Sequence, residues 1–204
     1  MEKITITIPV PKIIVNIVLF FLLIYRKKKY GCPFRKIKLT MGKFTKVDPE
    51  DFDYLNQFKW QASRGKSSFY ACRMITVNGR PRHCSMHRVI MNAPEGMVVD
   101  HKNHDGLDNR KANLRISTVA QNNYNSLKGF YKGASKYRGV SFDKKTNKWR
   151  ATIYFENKKI HLGMFDNEKD AARAYDVAAT EYHGEFALRN CDIFKSDDLI
   201  AYRN

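Results

Sequence analysis

Residues 97–122 read MVVDHKNHDGLDNRKANLRISTVAQN. Met97 to Asp100 is an apolar run closed by a carboxylate and predicts a short strand. The stretch after it, as far as Asn113, is crowded with Lys, Asn, Asp and Gly, residues that favour turns over ladders. Leu114 to Ser117 predicts a second strand. Thr118 followed three residues later by Gln121 has the form of a capping box, in which two side chains satisfy backbone N–H groups at a helix start. A helix is therefore expected from Thr118 to about Leu127. Asp100 and His101 end the first strand, Asn113 precedes the second, and Asn122 lies in the first turn of the helix. Folding strand, loop, strand and helix onto one another brings these four polar groups together.

Hydrolysis of a phosphodiester needs a base to activate water, a cation to neutralise the phosphate, and a group that orients the base. On this reading His101 is the general base, and Asp100 and Asn122 hold one divalent ion through oxygen. Asn113 fixes the loop and the orientation of the imidazole. His104, His83 and His87 are the rival bases, but His101 alone directly follows the strand-end carboxylate. The plain alternative for Asn113 and Asn122 is ordinary loop and cap hydrogen bonding.

Upstream, Ala71 to Val77 and Arg80 to Met86 flank Asn78-Gly79, a dipeptide that supplies the two positive-φ residues of a tight type I′ hairpin turn. Pro94-Glu95-Gly96 makes a further turn. Downstream, Gly129 to Ser135 is small, basic and turn-rich, and three strand-like runs follow: Tyr137 to Asp143, Lys148 to Phe155 and Lys158 to Phe165. Asn167 can then cap a helix, with Asp170 three residues on. Ala171, Ala174, Tyr175, Ala178 and Tyr182 form its apolar stripe, and Gly184 stops it.

The chain has 204 residues, with 37 Lys and Arg against 20 Asp and Glu, a formal net charge of +17. Its isoelectric point is near 9.8. A polyanionic partner follows from that balance, which runs through the whole body and is interleaved with Tyr, Phe and Trp. The length suits two small modules better than one large multilayered enzyme. Cys32, Cys72, Cys84 and Cys191 are isolated, with no CxxC pair, so neither a zinc knuckle nor a disulfide scaffold is indicated. They read as reduced, mostly buried small residues. Ile13 to Tyr25 is almost wholly apolar, broken by Asn16 and followed by Arg26, Lys27, Lys28 and Lys29. A membrane segment, an interfacial or core helix, and an upstream extension with no part in the chemistry all fit a run of that length. No small-residue cleavage site follows it, which argues against a removed secretory signal.

The spacing from Asp100-His101 to Asn113 and Asn122 resembles the HNH (ββα-metal) endonucleases, especially those of phages and mobile introns. The flanking His87-Arg88, Asp105-Gly106, Asp108-Asn109-Arg110, Asn113-Leu114-Arg115 and Gln121-Asn122-Asn123 share in the resemblance, as does Lys38 to Trp60 as a lead-in. Asn122 stands where many members have a histidine. An amide oxygen there shifts the expected ion from zinc or nickel towards a single Mg²⁺ or Mn²⁺.

Tyr137-Arg138-Gly139-Val140, Lys148-Trp149-Arg150-Ala151, Leu162-Gly163-Met164-Phe165 and Ala171 to Asp176 resemble the plant ethylene-response-factor (Apetala-type) DNA-binding domain. That resemblance implies a three-stranded sheet lying in the major groove of DNA with a helix behind it. Alternation then puts Trp149, Ala151, Ile153 and Phe155 towards the helix, and Arg138, Lys148, Arg150, Tyr154, Lys159 and His161 are the candidates for the reading face. Thr152, Tyr154 and His161 stand where the plant pattern has arginines, so the resemblance carries DNA binding but not the plant target sequence.

The fold class expected is α+β, a small ββα-metal HNH nuclease domain joined to a three-stranded antiparallel sheet packed on one helix. The divisions are an extension over 1–34, a nuclease domain over 35–128, a linker over 129–134, a DNA-binding domain over 135–190 and a tail over 191–204. The function implied is an intracellular homing-type DNA endonuclease acting on double-stranded DNA without a small-molecule cofactor. The alternative is a non-cutting, sequence-specific DNA-binding or transcription regulatory protein. Tethering to a membrane through residues 13–25 is compatible with both.

Overall fold

A computed structural model describes residues 11–65, 68–127 and 134–194. Mixed helices and small antiparallel sheets make it an α+β protein. The chain divides into two compact units, Met1–Ala93 with His101–Arg115 and Pro94–Asp100 with Ile116–Asn204.

In the first unit, helix α1 (Lys12–Tyr30) follows Pro11 and ends at Gly31, whose φ of 76° gives the left-handed turn. It takes in the apolar run and the four basic residues, and it has no buried residue. Among the described residues no helix is long and apolar enough to cross a membrane. Strands β1 (Arg35–Lys38) and β2 (Phe44–Val47) pair antiparallel, and α2 (Pro49–Leu55) follows with Pro49 at its start, where a missing N–H costs nothing. Strands β3 (Gln61–Arg64), β4 (Phe69–Val77) and β5 (Arg80–Ser85) form a sheet in that order. Asn78 and Gly79 join β4 to β5 with φ of 51° and 71°, the two positive values the sequence called for. Helix α3 (Met86–Met91) comes next. The core is Ile37, Leu39, Val47, Leu55, Trp60, Ala71 and Met86. Trp60 buries its ring without cost in hydrogen bonding, because its indole N–H donates to the Leu55 carbonyl at 2.8 Å.

Strands β6 (Val98–His101) and β7 (Leu114–Ser117) form a two-stranded sheet, with a single 3₁₀ turn at Lys111–Asn113 before β7. Helix α4 (Val119–Tyr124) starts from Thr118 with both halves of the capping box in place. It is shorter than the sequence suggests, ending at Asn125 where expectation carried it to Leu127.

In the second unit, β8 (Val140–Asp143), β9 (Lys148–Phe155) and β10 (Lys158–Phe165) make a three-stranded antiparallel sheet with β9 central. The β9 to β10 register shifts between Ala151 and Thr152, leaving Leu162 as the extra residue. Helix α5 (Glu168–His183) lies on one face of this sheet, and α6 (Asn190–Ile193) follows. The capping residue of α5 is Asn167, which accepts from the Lys169 N–H, while Asp170 pairs with Arg173. The buried stripe of α5 is wider than the sequence suggests: Ala172 and Ala179 join Ala171, Tyr175 and Ala178, while Ala174 and Tyr182 are half-buried. Tyr175 packs so closely on the backbone that a Cβ at Gly139, which has a φ of 75°, would sit 2.0 Å from its ring. The expected linker over 129–134 lies outside the described residues except for Ala134, and so does the tail beyond Phe194.

Candidate functional site

The loop between β6 and β7 is held on the first unit by backbone and side chain together. The Lys46 N–H donates to the Leu107 carbonyl and the Asn109 N–H to the Lys46 carbonyl, both at 2.8 Å, so the loop is stitched to β2. The Gly106 N–H donates to Ser68 Oγ at 2.9 Å, and a Cβ at Gly106 would meet the Phe69 carbonyl at 2.5 Å. Glycine is required there by the close approach of two backbones. Asn113 works within the loop: its Oδ1 accepts from the Asn103 N–H at 3.1 Å and its Nδ2 donates to the Asp108 carbonyl at 2.8 Å. Asp108 is buried beside the Arg110 guanidinium. Burial alone would raise its pKa, but the Arg110 hydrogen bond and charge, helped by Lys46, outweigh burial and lower it.

His101 is 6% exposed and Asn109 fully buried, and His101 Nε2 lies 3.1 Å from Asn109 Oδ1. The other end of that amide, Nδ2, donates to Thr45 Oγ1 at 2.8 Å, and the Thr45 hydroxyl donates to the Leu107 carbonyl at 2.8 Å. The His87 and Tyr70 rings pack edge-on against the imidazole, with centroids 5.2 Å and 5.8 Å away. Burial above all, and then His101 and Arg88, lower the His87 pKa to about 3, so that ring is neutral. Reasoning from sequence gave the imidazole to Asn113 and passed over Asn109, Thr45 and Tyr70. Asn109 had a signal in its Asp108-Asn109-Arg110 context, whereas Thr45 lies 64 residues from its partner and had none.

Asp100 belongs to the second unit and is 5% exposed. Its two carboxylate oxygens accept from Asn125 Nδ2 at 3.0 Å and 2.9 Å. Asn125 closes α4, and Asn122 precedes it by three residues, which puts both on one helix face. Asn122 thus shares the side on which Asp100 lies. Among the described residues there is no group of three or more His, Cys, Asp or Glu side chains placed to hold a metal. A donor set of one carboxylate and one amide oxygen suits a hard ion that keeps most of its water, as Mg²⁺ does, and does not suit zinc.

The end of α4 is gripped by the sheet domain. Arg138 donates to the carbonyls of Asn123, Tyr124 and Ser126 at 3.1, 2.9 and 2.8 Å, and the Tyr124 ring stacks on His183 with centroids 3.8 Å apart. Asn190, fully buried, reinforces the grip by bonding both the N–H and the carbonyl of Arg138. Arg138, expected on the reading face, is placed here. On the face of the sheet away from α5, Arg150, Lys159 and His161 line a shallow depression with Asp143, Thr146, Thr152 and Met164. Tyr154 stands beside it, 61% exposed, with the Lys159 ammonium over its ring. Lys148 pairs with Asp166 at 3.1 Å, and Arg150 with Asp143. Ala151 and Ile153 are buried towards α5, with Trp149 and Phe155 half-buried, as alternation requires.

Residues 135–185 match the model of the AP2 domain family. The chain carries an AP2 domain. Residues 86–124, which span α3 to α4, match the HNH endonuclease family model. Among curated proteins the chain is similar to the ethylene-responsive transcription factor WRI1 of Arabidopsis thaliana, 46% identical over 74 residues, which are 35% of this chain and 17% of that protein. It is also similar to the AP2-like ethylene-responsive transcription factors ANT of Arabidopsis thaliana and CRL5 of Oryza sativa subsp. japonica. Both are 44% identical over 79 residues, 37% of this chain and 14% and 12% of theirs. The chain therefore spans less than a fifth of the length of these relatives.

Proposed function

We propose that this protein binds double-stranded DNA, with the AP2 domain as its reading module and the face of β8 to β10 away from α5 as the contact surface. The observation that carries this reading is the match of residues 135–185 to the AP2 domain, together with relatives named as transcription factors. The cationic and aromatic groups around the depression support it. Arg and Lys there can reach phosphates or guanine edges, and Tyr154 can pack on sugar or base. A regulator acting on DNA is the role that follows most directly.

A second reading, cleavage of the bound DNA, is favoured by the HNH match and by the buried Asp100-His101 pair at the end of β6. Asp100, its carboxylate held by Asn125, and Asn122 on the same face of α4 would hold one Mg²⁺ or Mn²⁺ ion. When bound, such an ion would supply charge stabilisation to the phosphate and the leaving oxygen. His101 takes the proton from the attacking water, whose oxygen bonds to phosphorus as the P–O bond to the leaving strand breaks. Phage origin and homing behaviour are not needed for either reading.

The two readings separate in one experiment. Fluorescence anisotropy of labelled duplex DNA measures binding, and nicking of supercoiled plasmid with Mg²⁺ or Mn²⁺ measures cleavage. Arg150→Ala is expected to weaken binding and reduce the salt slope by about one. An unchanged affinity and slope removes Arg150 from the contact surface. Cleavage abolished by both EDTA and His101→Ala establishes the nuclease, and tight binding without nicking leaves the regulator.

A further inference from the structure

Helix α1 leaves nearly all of its apolar surface uncovered, and none of its 19 residues is buried. Ile13, Ile17, Phe20 and Ile24 form one exposed row along it, and Ile14, Val18, Phe21 and Tyr25 form the next, so the two rows make one broad apolar face. Phe20 is 61% exposed and Phe21 63%. The opposite side carries Lys12, Asn16 and Lys27, and there Leu19, Leu23 and Arg26 are half-buried. Arg26 fastens that side to the body: its guanidinium donates to the Phe34 carbonyl and lies 4.6 Å from the centroid of the Phe34 ring. The apolar face therefore points away from the rest of the unit.

Charge decides what can cover it. The helix has no Asp or Glu, with Lys12 at one end and Arg26 to Lys29 at the other, so a second copy laid along it in either direction meets like charge. Duplex DNA would take the cations and leave the apolar face in water. A lipid surface with anionic headgroups takes both. Tyr25 and Tyr30, each with the Lys29 ammonium 5.5 Å from its ring centroid, are amphipathic side chains suited to the headgroup level. Ile13 to Tyr25 measures about 20 Å along the helix axis, short of the ~30 Å hydrocarbon layer, so the helix can lie in one leaflet but not cross both.

We propose that α1 docks on an anionic lipid surface, with the face from Ile13 to Tyr25 entering the boundary between headgroups and acyl chains and with Lys12 and Arg26 to Lys29 on the lipid phosphates. This docking goes beyond both DNA readings and holds whichever of them is right.

The test is flotation of the purified full chain with vesicles of phosphatidylcholine, alone or mixed with phosphatidylglycerol. The parent should float with the mixed vesicles and far less with the neutral ones. Phe20→Asp combined with Phe21→Asp should abolish flotation. Lys27→Gln combined with Lys28→Gln should lower partitioning into the mixed vesicles about 25-fold, since each cation near an anionic surface gains about fivefold, and leave the neutral vesicles unaffected. Because α1 contributes no buried side chain, these variants should unfold at the parent's temperature. Phe21→Trp should float like the parent and show blue-shifted emission on the mixed vesicles. A parent that stays unbound, that floats equally with neutral vesicles, or that floats regardless of Phe20→Asp and Phe21→Asp overturns the proposal, as does Phe21→Trp emission that vesicles do not shift. A lipid-indifferent oligomer that the two Asp substitutions break into monomers assigns the face to a second copy instead. Lysine substitutions that weaken DNA binding and leave flotation unchanged assign the cations to DNA, and likewise overturn it.

Discussion

His87 shows what burial does to a single side chain. Its pKa is lowered from 6.5 to about 3, first by burial and then by His101 and Arg88. Between those two values the unfolded chain binds a proton that the folded chain refuses, so stability rises with pH across the window and is lost as pH falls below about 6.5. One such proton amounts to about 1.4 kcal/mol per pH unit at most, and partial exposure of the ring reduces it. Urea unfolding at pH 7 and pH 5 should show the parent losing up to about 2 kcal/mol more than His87→Gln. Parallel losses in the two proteins would mean that His87 can be protonated within the fold. At this scale the sequence was legible where chemistry is local. Asp100 and His101 announced themselves as a strand-end pair, whereas Asn125, which grips the Asp100 carboxylate, read as one asparagine among several in Gln121 to Asn125.

Elements were legible where their signals are short-range. The Asn78-Gly79 turn and the Thr118 capping box stand where the sequence puts them, and alternation along β9 sorted its two faces. The length of α4 was not legible, because a distant residue ends it. Arg138 reaches back to three carbonyls at and just beyond its C-terminus, where a guanidinium suits the carbonyl end of a helix by charge as well. Reading Tyr137-Arg138-Gly139-Val140 alone assigns Arg138 to DNA. Arg138→Met is expected to cost roughly 1–3 kcal/mol, since it removes the guanidinium's bonds to the Asn123, Tyr124 and Ser126 carbonyls, and to speed hydrogen exchange in α4. Its effect on DNA affinity should be smaller than that of Arg150→Ala. Unchanged exchange in α4 with a large loss of affinity would return Arg138 to the reading face.

For the whole molecule, charge and module must be weighed against each other. The net charge of +17 is spread along the chain, and α1 carries four consecutive basic residues, Arg26 to Lys29, so part of the proposed affinity for DNA is expected to owe nothing to the AP2 domain. The sheet face contributes three permanent cations, Lys148, Arg150 and Lys159, and two of these are paired with Asp166 and Asp143. Each phosphate contact changes the slope of log K against log salt by about 0.9, so three contacts add about 2.7, or roughly a 40-fold loss of affinity between 50 and 200 mM salt. Removing all three cations together should flatten the slope by that amount and leave a residual slope from the rest of the basic body. If the slope stays as steep as the parent's, diffuse charge binds DNA and the AP2 sheet does not. If the slope falls as expected while preference among duplex sequences persists, the exposed Tyr154 and His161 on the same face become the groups to change next.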